Sequence, residues 1–435
     1  MKALLLLPAF FLSTFLLQAQ TNTDLSLSLI GKLQRAQYDS CQTMFDTIVS
    51  NKINAGMMQQ IWESMPRYMG EYQSYGEIRT ERRDSTESVF VRCNFAKTKM
   101  DLQLTYNRQQ KIIGIFFLPP KNTSTYNYPE YSRSNKFYES KITLQSGNYA
   151  LPAVLCIPNN VKNPPVAVLL AGSGPNDKDE SIGPNKPLKD IAVGLASNGI
   201  ASIRYDKRTL TYGKELAAQP DLGIKEEVID DAVSAVNMIR KNPLTKGSKI
   251  YIVGHSLGAM CAPLVASKAK ADGIIMLAGN ARPLEDLIAE QYRYLYGAAR
   301  EKGEDDPEVK KIADKAAVVK DAKALKTAKP EELPLNLPAP YWQSLNAYRQ
   351  VELAKKLKQP ILILQGERDY QVTMTDFELW KKALADKPKN TFISYPALNH
   401  LFLKGEGKSM PSEYETQGNV EEKVITDMSD WIKTQ

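Results

Sequence analysis

The chain has 435 residues, of which 43% are apolar and 24% charged, and its formal net charge is +7. These fractions are typical of a soluble globular protein and exclude a disordered chain or a multispanning membrane protein. Lysine and arginine are spread among acids rather than gathered in an arm or stripe, which argues against a nucleic acid partner. The length exceeds one ordinary core and predicts roughly two domains.

The N-terminus resembles a secretory signal. Lys2 is followed by an apolar run of about 15 residues, and Ala19 provides a small residue just beyond it. The run is short for a spanning helix, and Pro8 interrupts it. We therefore expect residues 1–19 to be removed, leaving no membrane span, and the protein to be periplasmic or secreted. A retained N-terminal anchor is the alternative.

Residues 20–118 predict a small α+β domain. Apolar residues recur at helical spacing as far as Trp62. Helices followed by consecutive strands are typical of an antiparallel sheet packed against helices. The predicted strands are Tyr72–Arg79, Ser88–Phe95, Met100–Tyr106 and Lys111–Phe117. The Pro- and Asn-rich segment 119–135 is interpreted as a linker to the next domain.

Residues 136–435 predict an α/β domain. Two strand-like segments, Phe137–Leu144 and Tyr149–Ile157, come first. Apolar runs then alternate with amphipathic helices, which predicts a mostly parallel sheet with helices on both faces. The runs are Pro165–Leu170, Ala201–Tyr205, Ile250–Val253, Gly273–Leu277, Ile361–Leu364 and Thr391–Tyr395. The alternation stops at about 282–345, where a charged helical insertion predicts a lid.

The string Gly254-His255-Ser256-Leu257-Gly258 lies between a predicted strand and a predicted helix. This is the context of a nucleophile elbow, in which the serine hydroxyl stands clear of the sheet. Glycines flank the turn because backbone segments pass close to it. We therefore predict that Ser256 is a nucleophile and that the N–H of Leu257, at the start of the helix, helps to hold an oxyanion.

A serine hydroxyl needs a base, and the chain contains only two histidines. His255 adjoins Ser256 in a tight turn, so its ring cannot easily reach that hydroxyl. His400 follows the last predicted strand and is the predicted base. Asp369, after the run Ile361–Leu364, is the predicted acid that orients it, with Glu367 as the competitor.

A second oxyanion donor is expected from the loop after Pro165–Leu170. This loop reads Ala171-Gly-Ser-Gly-Pro-Asn-Asp177. Its two glycines allow an N–H to turn inward, and we assign that N–H to Ser173, with Gly172 as the next choice. The string lacks the Gly-Lys-Ser/Thr of a phosphate loop.

Four cysteines are present, Cys41, Cys93, Cys156 and Cys261. In an oxidising compartment Cys41 and Cys93 are candidates for a disulfide. The favoured interpretation is that all four are small buried apolar residues. No Cys-x-x-Cys occurs, and with two histidines a zinc site is not expected.

These motifs resemble the secreted bacterial α/β-hydrolase carboxylesterases that carry a small N-terminal domain. The matching strings are Ala171–Asp177, Arg204–Thr209, Gly254–Gly258, Leu364–Val372 and Asn399–His400. The resemblance spans roughly residues 136–435 and implies an α/β-hydrolase fold with a helical lid. It further implies hydrolysis of a small-molecule carboxylic ester through an acyl-enzyme, without a cofactor.

Several points stay open at this stage. Tyr341 and Trp342, at the end of the insertion, form either an apolar wall of the substrate pocket or packing within the lid. The Arg204–Arg208 string is interpreted as a brace for the oxyanion loop, the loop that begins with the segment 171–177.

Two other functions are alternatives to the esterase. A serine peptidase of the prolyl oligopeptidase or proline iminopeptidase type uses the same triad and is the first alternative. A non-catalytic binding protein on this scaffold is the second. The N-terminal domain could shape the entrance, form a homodimer or dock a partner.

Overall fold

A computed structural model describes residues 21–118, 126–217, 219, 221–299 and 306–435. The chain divides into two compact units, residues 1–123 and 124–435. The predicted signal segment 1–19 lies outside the described residues. In the part of the chain that the structure describes, no helix combines the length and the apolar character needed to cross a membrane.

The first unit consists of helices followed by an antiparallel sheet. The sheet order is β1-β2-β3-β4, so each strand pairs with its neighbour in sequence. The helices bury their apolar faces against it around Leu29, Phe45 and Leu104. The elements are α1 (Asn22–Gln34), α2 (Tyr38–Gln42), α3 (Thr47–Ser50), α4 (Ala55–Met69), β1 (Tyr72–Arg83), β2 (Thr86–Phe95), β3 (Lys99–Tyr106) and β4 (Ile112–Leu118).

The second unit is built on an eight-stranded sheet. Its strands are β5 (Phe137–Ser146), β6 (Tyr149–Pro158), β7 (Val166–Leu170), β8 (Ala201–Tyr205), β9 (Ile250–His255), β10 (Gly273–Leu277), β11 (Ile361–Gly366) and β12 (Thr391–Tyr395). Their order is β12-β11-β10-β9-β7-β8-β6-β5. The six strands from β7 to β12 run parallel, β6 pairs antiparallel with β8, and β5 pairs antiparallel with β6 at the edge of the sheet. This is the predicted α/β-hydrolase sheet.

Helices cover both faces of this sheet. Alternate side chains of the strands feed two separate apolar cores, one around Ile252 and the other around Val253. The helices are α5 (Pro187–Ser197), α6 (Arg208–Thr211), α7 (Gly213–Ala217), α8 (Asp230–Lys241), α9 (Leu257–Ala269), α10 (Leu284–Ala299), α11 (Pro307–Lys320), α12 (Ala322–Thr327), α13 (Ala339–Ala347), α14 (Gln350–Lys356), α15 (Met374–Leu384) and α16 (Glu422–Thr434). Helices α10 to α13 come from the predicted insertion.

The predicted linker 119–135 needs a correction. Residues 119–125 lie outside the described part of the chain, but from Tyr126 onward the segment belongs to the second unit. The Tyr126 hydroxyl donates to Asp190 at 2.5 Å, and the Tyr131 hydroxyl donates to the carbonyl of Val420 at 2.8 Å. The aromatic rings explain the error, because they bury apolar area that a solvated linker would leave exposed.

All four cysteines are free and buried, so the candidate Cys41–Cys93 disulfide is not formed. Burial raises the pKa of all four thiols, to about 12 for Cys93 and Cys156. The thiolate is the reactive form, and a buried thiol is also inaccessible.

We therefore expect Ellman's reagent to modify none of the four thiols in the native protein and all four in concentrated guanidinium chloride. A count of two after denaturation without reductant would reveal a disulfide and contradict the structure. The denatured measurement repeated after reduction and removal of the reductant serves as the control.

Candidate active site

Ser256 lies in the turn between strand β9 and helix α9. Its backbone has φ 52° and ψ −120°, a conformation that non-glycine residues rarely adopt. A Cβ on Gly254 would overlap the carbonyl oxygen of Gly258, and a Cβ on Gly258 would lie 2.5 Å from that of Leu170. Backbone crowding therefore requires both glycines, and this is the geometry of a nucleophile elbow.

Asp369 and His400 meet at the carboxyl ends of β11 and β12. His400 Nδ1 lies 2.6 Å from Asp369 Oδ2, and both side chains are buried. The other oxygen, Oδ1, accepts the main-chain N–H groups of Gln371 at 2.7 Å and Val372 at 3.0 Å. The carboxylate is thus held rigidly against one ring nitrogen, which leaves Nε2 as the nitrogen that can accept a proton.

Glu367, the competitor for the acid position, lies elsewhere. Its side chain is exposed and accepts a hydrogen bond from the Ser394 hydroxyl at 2.7 Å. The structure therefore brings Asp369, and not Glu367, to His400.

His255 is buried, and both of its ring nitrogens have hydrogen-bond partners other than Ser256. Its Nδ1 lies 2.9 Å from Glu180 Oε1, and its Nε2 lies 2.8 Å from the main-chain carbonyl of His400. The two imidazole rings are 4.7 Å apart. Burial alone would lower the pKa of His255, but the Glu180 carboxylate and its hydrogen bond raise that pKa above its ordinary value. A protonated His255 donates from both nitrogens.

The loop after β7 lies against Ser256. A Cβ on Gly172 would come within 3.2 Å of Ser256 Cβ. The N–H of Gly172 donates to Glu180 Oε1 at 2.6 Å, so the prediction of Gly172 as an oxyanion donor is wrong. A carboxylate eight residues further along the same loop satisfies that N–H. Ser173, the first choice, is the next residue along the backbone.

Leu257 begins helix α9 directly after Ser256. The first N–H groups of a helix have no acceptor within it, and they carry the positive end of the helix dipole. The N–H of Leu257 is therefore suited to an anion at the serine.

The basic string after β8 braces the oxyanion loop at three points. Arg204 donates to Asp179 at 2.8 Å, and the main-chain N–H of Lys178 donates to Asp206 at 2.7 Å. Lys207 Nζ donates to the carbonyl of Gly172 at 2.8 Å. These contacts agree with the predicted brace for Arg204, Asp206 and Lys207. Arg208, the last residue of the string, pairs instead with Asp231 on helix α8, so the prediction is wrong for this residue.

Tyr341 and Trp342 are packing residues in this structure. They are 3% and 0% exposed within the core, which leaves no surface for a substrate to contact. A cavity of about 220 Å³ lies instead between helix α9 and the end of the insertion, and its lining includes Met260, Leu345 and Tyr348. Tyr341 and Trp342 are buried because both lie on the face of helix α13 that packs against the core.

Glu180 was not predicted as a site residue. Glu180 ends the polar run 176–180, where nothing distinguishes it from surface acids. A signal was available in hindsight, because a histidine beside a nucleophile turn needs a polar partner once it is buried. Sequence alone did not name the residue that provides it.

Two family models match the chain. Residues 186–407 match a family described as serine aminopeptidase S33, and residues 26–115 match a family described as a protein of unknown function, DUF3887. The chain is 34% identical over 403 residues to Esterase EstD of Thermotoga maritima, and the match covers 93% of both chains.

In the described residues, no group of three or more metal-binding side chains lies together.

Two solved structures are similar to this chain at low sequence identity. Est1E from Butyrivibrio proteoclasticus matches with a TM-score of 0.45 and 18% identity, covering 67% of this chain and 99% of that one. A puromycin-hydrolyzing peptidase of Mycobacterium tuberculosis matches with a TM-score of 0.45 and 14% identity, covering 83% and 47%.

The raised pKa of His255 predicts a pH-dependent contribution to stability. The charged form contributes in full below the ordinary value of 6.5 and is lost as the pH rises through the higher value of the folded state. Replacing His255 with glutamine removes this charge but keeps a donor. We expect the difference in the free energy of unfolding, wild type minus variant, to be larger at about pH 6 than at about pH 9.

Urea titrations at the two pH values measure this difference. Both proteins keep His400 and all carboxylates outside the pair, so those groups largely cancel. A difference that stays constant or grows with pH would contradict the charged pair.

Proposed function

The chain belongs to the family described as serine aminopeptidase S33, and we propose that within it this protein hydrolyses carboxylic esters through Ser256, His400 and Asp369. The observation that carries the proposal is the pairing of Asp369 with His400 Nδ1 at 2.6 Å, in a chain related to an esterase over 93% of its length. The elbow geometry of Ser256 supports the same assignment.

In the proposed reaction, Ser256 Oγ attacks the ester carbonyl while His400 Nε2 takes its proton. Asp369 holds the ring and stabilises the imidazolium that forms. The N–H groups of Leu257 and Ser173 stabilise the oxyanion of the tetrahedral intermediate. His400 then protonates the departing alcohol, and the serine remains acylated. A water molecule activated by His400 attacks the acyl-enzyme, which releases the acid and regenerates Ser256.

An aminopeptidase is the second candidate, because the family's description names that activity. Esters and amides pass through similar tetrahedral intermediates, so the triad does not separate them. An acidic cluster in the insertion would favour a peptide amine, and the sequence has one at 304–306. Glu304 and Asp305 lie outside the described residues. Asp306 caps helix α11 by accepting from the N–H of Glu308 at 2.9 Å, which agrees with its interpretation as a helix start.

We expect p-nitrophenyl esters to be cleaved with higher kcat/KM than the p-nitroanilides of amino acids. Esters of rising acyl chain length also measure the size of the acyl site. Ser256→Ala and His400→Ala should each lose at least about 10⁴-fold in kcat/KM, because the triad acts as a unit. A fluorophosphonate probe should label the wild type and not Ser256→Ala.

Three results would contradict the proposal. The first is faster cleavage of amides than of esters, and the second is a folded wild type that the probe does not label. The third is retention of activity by His400→Ala, provided that circular dichroism shows a native fold.

We further propose that the protein is exported to the periplasm or secreted. The support is the basic start, the apolar run and the small residue Ala19 in the sequence. Expression of the full chain in a bacterial host should yield protein that begins at Gln20, within one or two residues, in a mass spectrum of the intact chain. A product that keeps residues 1–19 would contradict this proposal and indicate a retained anchor.

A further inference from the structure

Lys207 is a buried lysine, 4% exposed, on the loop after strand β8. An ammonium group removed from water is costly unless it is paired and hydrogen-bonded. Its Nζ lies 2.5 Å from Glu227 Oε1 and 2.8 Å from the carbonyl oxygen of Gly172. The second contact joins the buried ammonium group to the main chain of the oxyanion loop.

The carbonyl of Gly172 and the N–H of Ser173 belong to one peptide unit. In a trans peptide these two groups point in opposite directions, and the described residues contain no cis peptide bond. Lys207 Nζ and Asn176 Nδ2, the latter at 3.1 Å, both donate to that carbonyl. Holding the carbonyl in this way fixes the direction of the Ser173 N–H.

The preceding peptide is held as well, since the N–H of Gly172 donates to Glu180. Gly172 also lies directly against Ser256, because a Cβ added to this glycine would meet Ser256 Cβ at 3.2 Å. A rotation of the Gly172–Ser173 peptide would therefore change the direction of an N–H in the segment that packs against Ser256.

Glu227 connects Lys207 to the insertion. It lies in the segment Lys225–Ile229, which is wound as a π-helix, a form often found at functional sites. The hydroxyl of Tyr341 donates to Glu227 Oε2 at 2.6 Å. Burial, followed by the charge of Glu227, raises the pKa of Tyr341 well above its ordinary value, so the hydroxyl keeps its proton and remains a donor. The chain of contacts runs from helix α13 to the peptide beside Ser256.

We propose that Lys207 is a positioning residue for the oxyanion hole: it fixes the Ser173 N–H, while Glu227 and Tyr341 hold its ammonium group in place. The inference rests on the proposed function, because it assigns the oxyanion to that N–H. It also gives Tyr341 a role that differs from lining the substrate pocket.

The test compares an oxo ester with its thionoester, because sulfur accepts hydrogen bonds more weakly than oxygen and gains less from an oxyanion hole. Loss of one oxyanion donor costs about 10²–10³ in kcat. For Lys207→Met we expect kcat on the oxo ester to fall about 10- to 100-fold, with KM changed less than about threefold. The thionoester should slow less, so the oxo-to-thiono ratio of kcat/KM should fall. Tyr341→Phe should lower the ratio in the same direction by less.

Arg208→Met is the matched control. Arg208 is the next residue, is buried, and pairs with Asp231 at 2.5 Å. Its removal should lower the melting temperature and leave the ratio at the wild-type value. If Lys207→Met does not fold, Glu227→Gln and Tyr341→Phe carry the test with milder changes.

An unchanged ratio in folded Lys207→Met, or an equal fall in Arg208→Met, would overturn the inference. Failure of the proposed function is a separate result, seen in the wild type as a preference for amides. In that case an amide and its thioamide replace the two esters, and the same ratio decides on Lys207.

Discussion

One buried carboxylate oxygen, Glu180 Oε1, joins the parts of the site that different strands supply. It accepts the N–H of Gly172 from the loop after β7 and lies 2.9 Å from His255 Nδ1 at the end of β9. His255 Nε2 in turn reaches the carbonyl of His400, after β12. A parallel sheet brings these loops to one edge, but only approximately. The carboxylate and the imidazole convert that proximity into defined distances, and a buried pair of this kind tolerates loss of either partner poorly.

A steric constraint operates beside this electrostatic one. The positive φ of Ser256 is a sparsely populated conformation, which persists only where the surrounding structure holds it. Gly258 is packed so closely on the carbonyl of Leu170 that helix α9 and strand β7 touch through their main chains. The backbones of Ser256 and of the loop after β7 are therefore held at a separation that side-chain rotation does not change. The hydrogen bonds of the loop after β7 then set the direction of its peptide groups.

Elements governed by local pattern were predictable from sequence. Strands β8, β10 and β12 begin and end at the predicted residues, because each is a short apolar run with a turn on either side. Asp369 and His400 could be predicted as a pair because histidine is scarce and chain order restricts the acid, and the structure places the two side chains 2.6 Å apart. Glu180, Glu227 and the hydrogen bond from the Gly172 N–H to Glu180 could not be predicted, because they depend on contacts that form only in the folded chain. The linker prediction was wrong from Tyr126 onward for the same reason, since the partners of this segment, Asp190 and Val420, are remote in sequence.

The hydrogen bond from Tyr341 to Glu227 has a consequence for protein engineering. Insertions between β10 and β11 are attractive cassettes for exchanging substrate preference between relatives. Here helix α13, the C-terminal part of the insertion, also supports the Gly172–Ser173 peptide through Glu227 and Lys207. A chimera that replaces the whole insertion would remove Tyr341 and leave Glu227 with one partner fewer. A junction placed before Ala339 keeps this support, so the exchangeable part of the insertion is shorter than the insertion itself.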